Sequence, residues 1–177
     1  MRIVGGLYRG RVLYSFEGED IRPTPDKVRE SIFNIIQQKT YGCCFLDVFS
    51  GTGAMGLEAL SRGAKEVVLN DKSRQSVALI NKNVQKLGVK DGVKVTNFDG
   101  VQLLKTFNDK FDIIYLDPPY KTELGLEALK FCANALKDDG IIIFEDEKEF
   151  DGQVEGLAVY DQRKYGRVRL TFFKKGE

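Results

Sequence analysis

The chain has no histidine and no tryptophan, and only three cysteines and four prolines among its 177 residues. The missing histidine excludes Ser-His-Asp nucleophilic catalysis, histidine acid–base chemistry and the commonest zinc sites. Two of the cysteines, Cys43 and Cys44, are adjacent on an apolar stretch. That is a poor disulfide framework and a poor metal site, and they read as core. No apolar run approaches the ~18 residues of a membrane-crossing helix, and the first residues lack a signal-peptide core. A cytoplasmic, metal-free protein away from the membrane is expected. Whatever chemistry the chain performs must use carboxylates, tyrosines, lysines or a cofactor.

Net charge is also small, at +1 from 27 basic and 26 acidic side chains, but it is unevenly spread. Residues 1–42 carry 7 basic and 5 acidic groups, 43–160 carry 14 and 19, and 161–177 carry 6 and 2. Two positive ends and a negative centre suit a polyanion gripped by the ends and a cationic ligand held in the middle. The length fits one domain, 1–177, able to bury roughly two thirds of its extended surface.

What is present is organised around Phe111–Tyr120, FDIIYLDPPY. Its apolar run reads as a buried parallel strand. Prolines cannot donate to a sheet ladder, and the first pushes its predecessor to an extended conformation, so the strand stops with Asp117 at its carboxyl edge. Ligands of open α/β sheets gather at that edge. The Asp117 carboxylate and the Pro118 carbonyl are two acceptors that suit both hydrogens of an NH2 group. Pro119 stiffens the turn, and Tyr120 can stack on a base. The bland alternative is a proline turn that merely closes a strand.

Residues 1–22 read as a basic hairpin extension, two short strands around Gly5-Gly6 and Gly10 with Arg2, Arg9 and Arg11, suited to grip a nucleic-acid backbone, the bland alternative being an edge hairpin with solvated arginines. Arg22 stands in a stiff loop, and Thr24 reads as the N-cap of a helix with Pro25 at its first position and an apolar face to about residue 39. Residues 23–177 read as the catalytic core. A strand over Cys43–Val48 leads into Gly51, Gly53 and Gly56 and then a helix, the arrangement of a nucleotide-binding crevice. A second strand, Glu66–Leu69, ends at Asn70-Asp71, where an acid can accept from ribose hydroxyls. A helix over Arg74–Leu87 follows. A third strand closes with Asp99, placed for an adenine amino group or, alternatively, as a helix cap. After the Asp117 turn come a helix over Leu124–Leu136, a turn at Asp138-Asp139-Gly140 and a buried strand Ile141–Phe144. The acids from Glu145 to Asp151 read as a solvated loop. Strands Gly156–Tyr160 and Val168–Lys174, joined by a basic turn, should be antiparallel. The fold class is therefore α/β: a mostly parallel doubly wound sheet with an antiparallel C-terminal edge, Asp47, Asp71, Asp99 and Asp117 lining one crevice.

With these residues in place, the chain resembles the RsmD family of bacterial 16S ribosomal RNA guanine-N2 methyltransferases, Rossmann-like class I enzymes that use S-adenosylmethionine. The resemblance rests on GGLYRGRVL, RPTPDKVRESIFNII, FLDVFSGTGAMGLEALSRGA, the acid in NDKS, FDIIYLDPPY and YGRVRL. It implies that Asp47, Gly51 and Gly53 shape the methionine end of the cofactor site, with Asp71 at the ribose and Asp99 at the adenine. It further implies Asp117, Pro118, Pro119 and Tyr120 at the guanine, Arg22 and Thr24 beside the cofactor, and Arg2, Arg9, Arg11 and Arg22 on RNA. The expected partner is small-subunit ribosomal RNA or an assembling 30S particle, met by a monomer. Ser50 and Ser31 depart from the residues frequent in that family, and Asn70 before Asp71 leaves open which faces the ribose. A nicotinamide-dependent oxidoreductase would share the glycines and Asp71 but make no use of Asp-Pro-Pro-Tyr. A silent RNA-binding module would leave four crevice acids without a purpose.

Overall fold

The computed structural model describes residues 1–17, 24–120 and 122–176. In chain order its elements are α1 (Asp26–Ile35), α2 (Gln37–Thr40), β1 (Cys44–Asp47), α3 (Ala54–Ser61), β2 (Glu66–Asn70), α4 (Arg74–Leu87), β3 (Val93–Thr96), α5 (Gly100–Leu104), β4 (Phe111–Leu116), α6 (Leu124–Ala135), β5 (Leu136–Asp146), β6 (Leu157–Tyr165) and β7 (Val168–Lys175). One seven-stranded sheet results, ordered β3-β2-β1-β4-β5-β7-β6. β1 to β5 run parallel, and β7 is antiparallel to both of its neighbours. The expected antiparallel hairpin is present, but β7 is inserted between β5 and β6, so β6 forms the outer edge.

The order of the strands reverses between β1 and β4, which opens a crevice at their carboxyl ends. Alternation along the strands divides the core. Phe45, Val67, Leu69, Ile113, Tyr115 and Ile143 pack with α1, α3 and α4, whereas Leu46, Val68, Ile114, Leu116 and Ile142 pack with α5 and α6. Residues two apart on a strand share a face, so Asp47 and Asp117 continue the row that holds Phe45 and Tyr115.

Several boundaries moved for identifiable reasons. Thr24 does not cap α1; Pro25 occupies the N-cap position without a side-chain bond, because the threonine hydroxyl is engaged elsewhere. The helical face breaks at Ile36, and α2 continues it. β5 begins at Leu136, expected as the end of the helix, and runs through the expected turn at Asp138-Asp139-Gly140, with a register shift between its pairings to Phe111 and Ile113 that accommodates Asp138-Asp139. Arg22 lies outside the described residues, as does Pro23.

The amino-terminal segment is a strap rather than two strands, with one antiparallel bridge, Arg2 to Val12. Ile3 and Leu13 are buried in the core. The amides of Val4 and Gly5 donate to the Glu58 carboxylate at 2.9 and 2.8 Å, and that of Leu7 to the Ser61 carbonyl at 2.7 Å. Gly6 has φ +75°, and a Cβ there would lie 1.9 Å from the Ser61 carbonyl oxygen, so no side chain fits. Glu58 itself is buried, paired with Arg62 at 2.8 Å and 3.5 Å from the buried Arg29, which also reaches Asp26 and the Arg2 carbonyl. Met1 borders the crevice while Leu7 and Tyr8 lie against the far end of α3. The tip that bears Arg9 is thus about 12 Å along the helix from the glycine loop, given 1.5 Å rise per residue.

Candidate active site

Strand register builds the site. Asp47 is level with Leu69 on one side and Tyr115 on the other. Asp71 and Asp117 therefore flank β1 two residues, about 6.6 Å, further towards the carboxyl edge. Tyr115 is level with Ile143 on β5, which sets Glu145 beside Asp117 on the same face.

The glycine loop leaves β1 through Val48 and enters α3 at Gly53, whose φ is +83°; Gly51 is also left-handed, at +55°. Two backbone bonds fix the loop, Ser50 N to the Asn70 carbonyl and Gly53 N to the Ser50 carbonyl, both 2.8 Å. Asp71 Oδ2 accepts from Gly51 N at 2.9 Å and Oδ1 from Ser73 N at 2.8 Å, so the acid is aimed at the loop. Asn70 is buried and fully committed, donating to the Val48 and Phe98 carbonyls and accepting from Thr96 Oγ1 and Phe98 N. Of this pair, only Asp71 borders the cavity. Asp99 caps α5, its Oδ1 accepting from Val101 and Gln102, yet it also borders the cavity, so the two alternatives for it are compatible. The Gln102 amide, ahead of Lys72, holds its carboxyl below the usual carboxylate range.

Two connected cavities occupy the crevice. One of about 690 Å3 is bordered by Asp71, Asp99, Asp117 and Tyr120, and one of about 230 Å3 by Asp47, Ser50 and Tyr115. Both touch Phe16, Phe49, Gly51 and Asp117. The larger is of the size that holds a nucleoside-sized ligand. Asp47 is 1% exposed, and its Oδ1 makes no hydrogen bond among the described residues. Burial first, and then the charge of Asp71, pushes its carboxyl up to about 8. An orphaned buried acceptor in the smaller cavity calls for a cationic donor from a ligand.

Asp117 is only partly covered, since its side chain opens onto both cavities. Its carboxyl lies well above the usual range because of burial and then the neighbouring charges of Glu145, Asp47 and Asp146. Pro118 is buried behind it and touches α6 closely: a Cβ on Gly125 would stand 2.7 Å from the Pro118 ring.

Glu145 was expected in a solvated loop and is instead 1% exposed, on β5. Tyr115 Oη and Thr24 Oγ1 donate to its Oε2, the latter at 3.2 Å, and Tyr120 Oη donates to Oε1 at 3.4 Å. Burial raises its carboxyl, while these three hydroxyls partly offset the rise. The signal was in the alternation: Ile141, Ile143 and Glu145 share a face, so the strand carries the acid inward. Thr24 itself borders the smaller cavity, and its hydroxyl ties that wall to Glu145. Arg2, Arg9 and Arg11 are exposed on the strap, outside the crevice. No group of three or more His, Cys, Asp or Glu suited to a metal occurs among the described residues, and no helix there is long and apolar enough to cross a membrane.

Comparison with known proteins agrees with this geometry. A family model described as conserved hypothetical protein 95 matches residues 1–174. Ribosomal RNA small subunit methyltransferase D of Haemophilus influenzae is 35% identical over 84% of this chain and 80% of its own length, and the protein of the same name from Escherichia coli K12 is 34% identical over 84% and 76%. The solved structure of yhhF from Escherichia coli superposes with a TM-score of 0.87 at 28% identity, covering 99% of this chain and 97% of that one. A family model matched almost end to end, with relatives 35% and 34% identical over 84% of the chain, places the chain in the RsmD family.

Proposed function

We propose that the protein transfers a methyl group from S-adenosylmethionine to the exocyclic N2 amine of a guanine in small-subunit ribosomal RNA, free or in an assembling 30S particle. The observation that carries this reading is that the Asp117-Pro118-Pro119-Tyr120 turn and the glycine loop open onto the same cavity. The residues present fit the cofactor: an orphaned acid for an α-ammonium at Asp47, acceptors for a ribose at Asp71, and Asp99 near the adenine end. Bound there, S-adenosylmethionine supplies a sulfonium-activated methyl group that needs no further activation.

The chain's own residues align and desolvate the acceptor. The Asp117 carboxylate and the Pro118 carbonyl take the two hydrogens of the amine, which draws the nitrogen lone pair out of conjugation with the ring. Tyr120 stacks on the base, and its hydroxyl, held by Glu145, fixes the ring plane. A carboxylate whose proton affinity is already raised can take the proton that the methylated nitrogen releases. The guanine must arrive unpaired or flipped out, since a duplex hides this edge.

Asp117→Ala should lower turnover by at least 100-fold while changing S-adenosylmethionine affinity only a few fold, read by single-turnover methylation and by calorimetry. Incubation with labelled cofactor and 30S particles, followed by mapping of the modified nucleotide, tests the reading as a whole. Label on a nitrogen other than guanine N2 would overturn the substrate assignment.

A further inference from the structure

A third cavity, about 420 Å3, is bordered by Thr24, Pro25, Glu145, Glu147, Tyr165 and Arg167 as well as Tyr120. Tyr120 and Glu147 border both this cavity and the larger one of the crevice, so the two meet at the reacting turn. Beyond Arg167 the trough continues into a shallow depression of about 350 Å3 formed by Glu147, Lys164, Gly166, Arg167 and Arg169. Neither Asp117 nor Pro118 borders the third cavity, so it does not hold the reacting amine.

The turn between β6 and β7 carries four cations within seven residues, Arg163 to Arg169. Arg163 is paired with Asp161 at 3.0 Å, and Arg169 donates back to the Gly166 carbonyl at 2.9 Å. Lys164 and Arg167 are exposed and have no carboxylate partner among the described residues. Tyr165 between them is half-buried, its ring anchored against the core. Cations outside, an aromatic ring at the lip and the buried Glu145 within make an ordered gradient, with the exposed Glu147 where the cavity meets the depression. A phosphate is repelled by Glu145 inside the cavity and attracted by Lys164 and Arg167, which outnumber Glu147 in the outer depression. A base offers amine and imino hydrogens to carboxylates and a π-face to tyrosine.

We infer that this cavity is a subsite for the nucleotide adjacent to the target in single-stranded RNA, with the backbone along the β6–β7 turn and the base turned inward between Tyr120 and Tyr165. The inference rests on the proposed RNA methyltransferase reading and adds where the strand runs. It also assigns the principal phosphate contacts near the reacting turn to Lys164 and Arg167 rather than to Arg9, whose strap tip lies at the far end of α3.

The test uses the full chain with a fluorescein-labelled, unstructured RNA decamer containing one guanine, measured by anisotropy across a potassium chloride series. Arg167→Ala and Lys164→Ala should each flatten the plot of log affinity against log salt by about 0.7, the value for one phosphate contact on a single strand. Tyr165→Leu, which keeps an apolar anchor, should weaken binding by about 5-fold or more, and Tyr165→Phe should restore it. Arg9→Ala should leave the slope unchanged, and all variants should bind S-adenosylmethionine as the parent does. If the slope is unaltered in Arg167→Ala and Lys164→Ala but flattened in Arg9→Ala, the subsite is overturned while the methyltransferase reading stands. If the parent binds the cofactor but shows no salt-dependent affinity for RNA, the reading beneath it falls as well.

Discussion

Asp47 is the residue on which pH acts first. Its carboxyl, raised to about 8, is neutral at pH 7 in the unliganded protein. A cationic ligand favours the ionised form, so binding must expel a proton and S-adenosylmethionine affinity should climb from pH 6 to about 8 and then level off. Calorimetry in buffers of different ionisation enthalpy reads that proton directly. The same raised value sets a stability trend for the unliganded fold. An acid with a higher folded than unfolded pKa contributes fully below the ordinary carboxylate range and loses that contribution as pH rises towards 8. Asp47→Asn should therefore flatten the decline in melting temperature between pH 6 and pH 8.5. Glu145 acts on the neighbouring carboxylate. Glu145→Gln keeps one carbonyl oxygen to accept from the Tyr115 hydroxyl, replaces the oxygen that accepts from Tyr120 with an amide donor, and removes a charge that raises Asp117, so the acid limb of the kcat/KM profile should move to lower pH. Asp117 was legible from sequence because two prolines force a strand to stop. Glu145 was not, because a run of acids after a strand looks like solvent-exposed loop unless the alternation is followed through it.

At the level of elements, the helices and strands of the core were legible because their apolar periodicities are unbroken, as in Arg74–Leu87 with Gly88 at its end. The strap was not, since its partners lie 53 and 54 residues away and are backbone amides meeting a buried carboxylate. Nothing in a local pattern reports such a contact. Glu58→Ala leaves the buried Arg29 with Asp26 alone and strips the Val4 and Gly5 amides of their acceptor, and should cost about 3–5 kcal/mol in denaturant unfolding. This also changes how the strap is to be probed: removing residues 1–15 would take Ile3 and Leu13 from the core, so its part in RNA binding is measured by Arg2→Ala, Arg9→Ala and Arg11→Ala instead. The packing of α6 on the reacting turn gives a second expectation. Gly125→Ala would place a methyl group 2.7 Å from both the Pro118 ring and the Phe144 ring, which must push the turn or the helix aside. Turnover should fall at least tenfold with cofactor affinity kept, because Asp71 and the glycine loop lie across β1 from that contact.

For the molecule as a whole, the doubly wound sheet and its crevice followed from the alternation of strands and helices and from the acids at successive strand ends. The position of β7 did not follow, because a hairpin read from sequence fixes the pairing of its two strands but not which of them faces the sheet. That placement has a consequence for how the chain is assembled on the ribosome. β6 is translated before β7 yet has no partner until β7 arrives to separate it from β5. A nascent chain halted after Gly166 would thus hold every crevice acid and still leave the flank of Ile142 and Phe144 bare, along with the β6 segment, as sticky edges. Premature termination there should yield aggregates bound by chaperones, not a smaller enzyme.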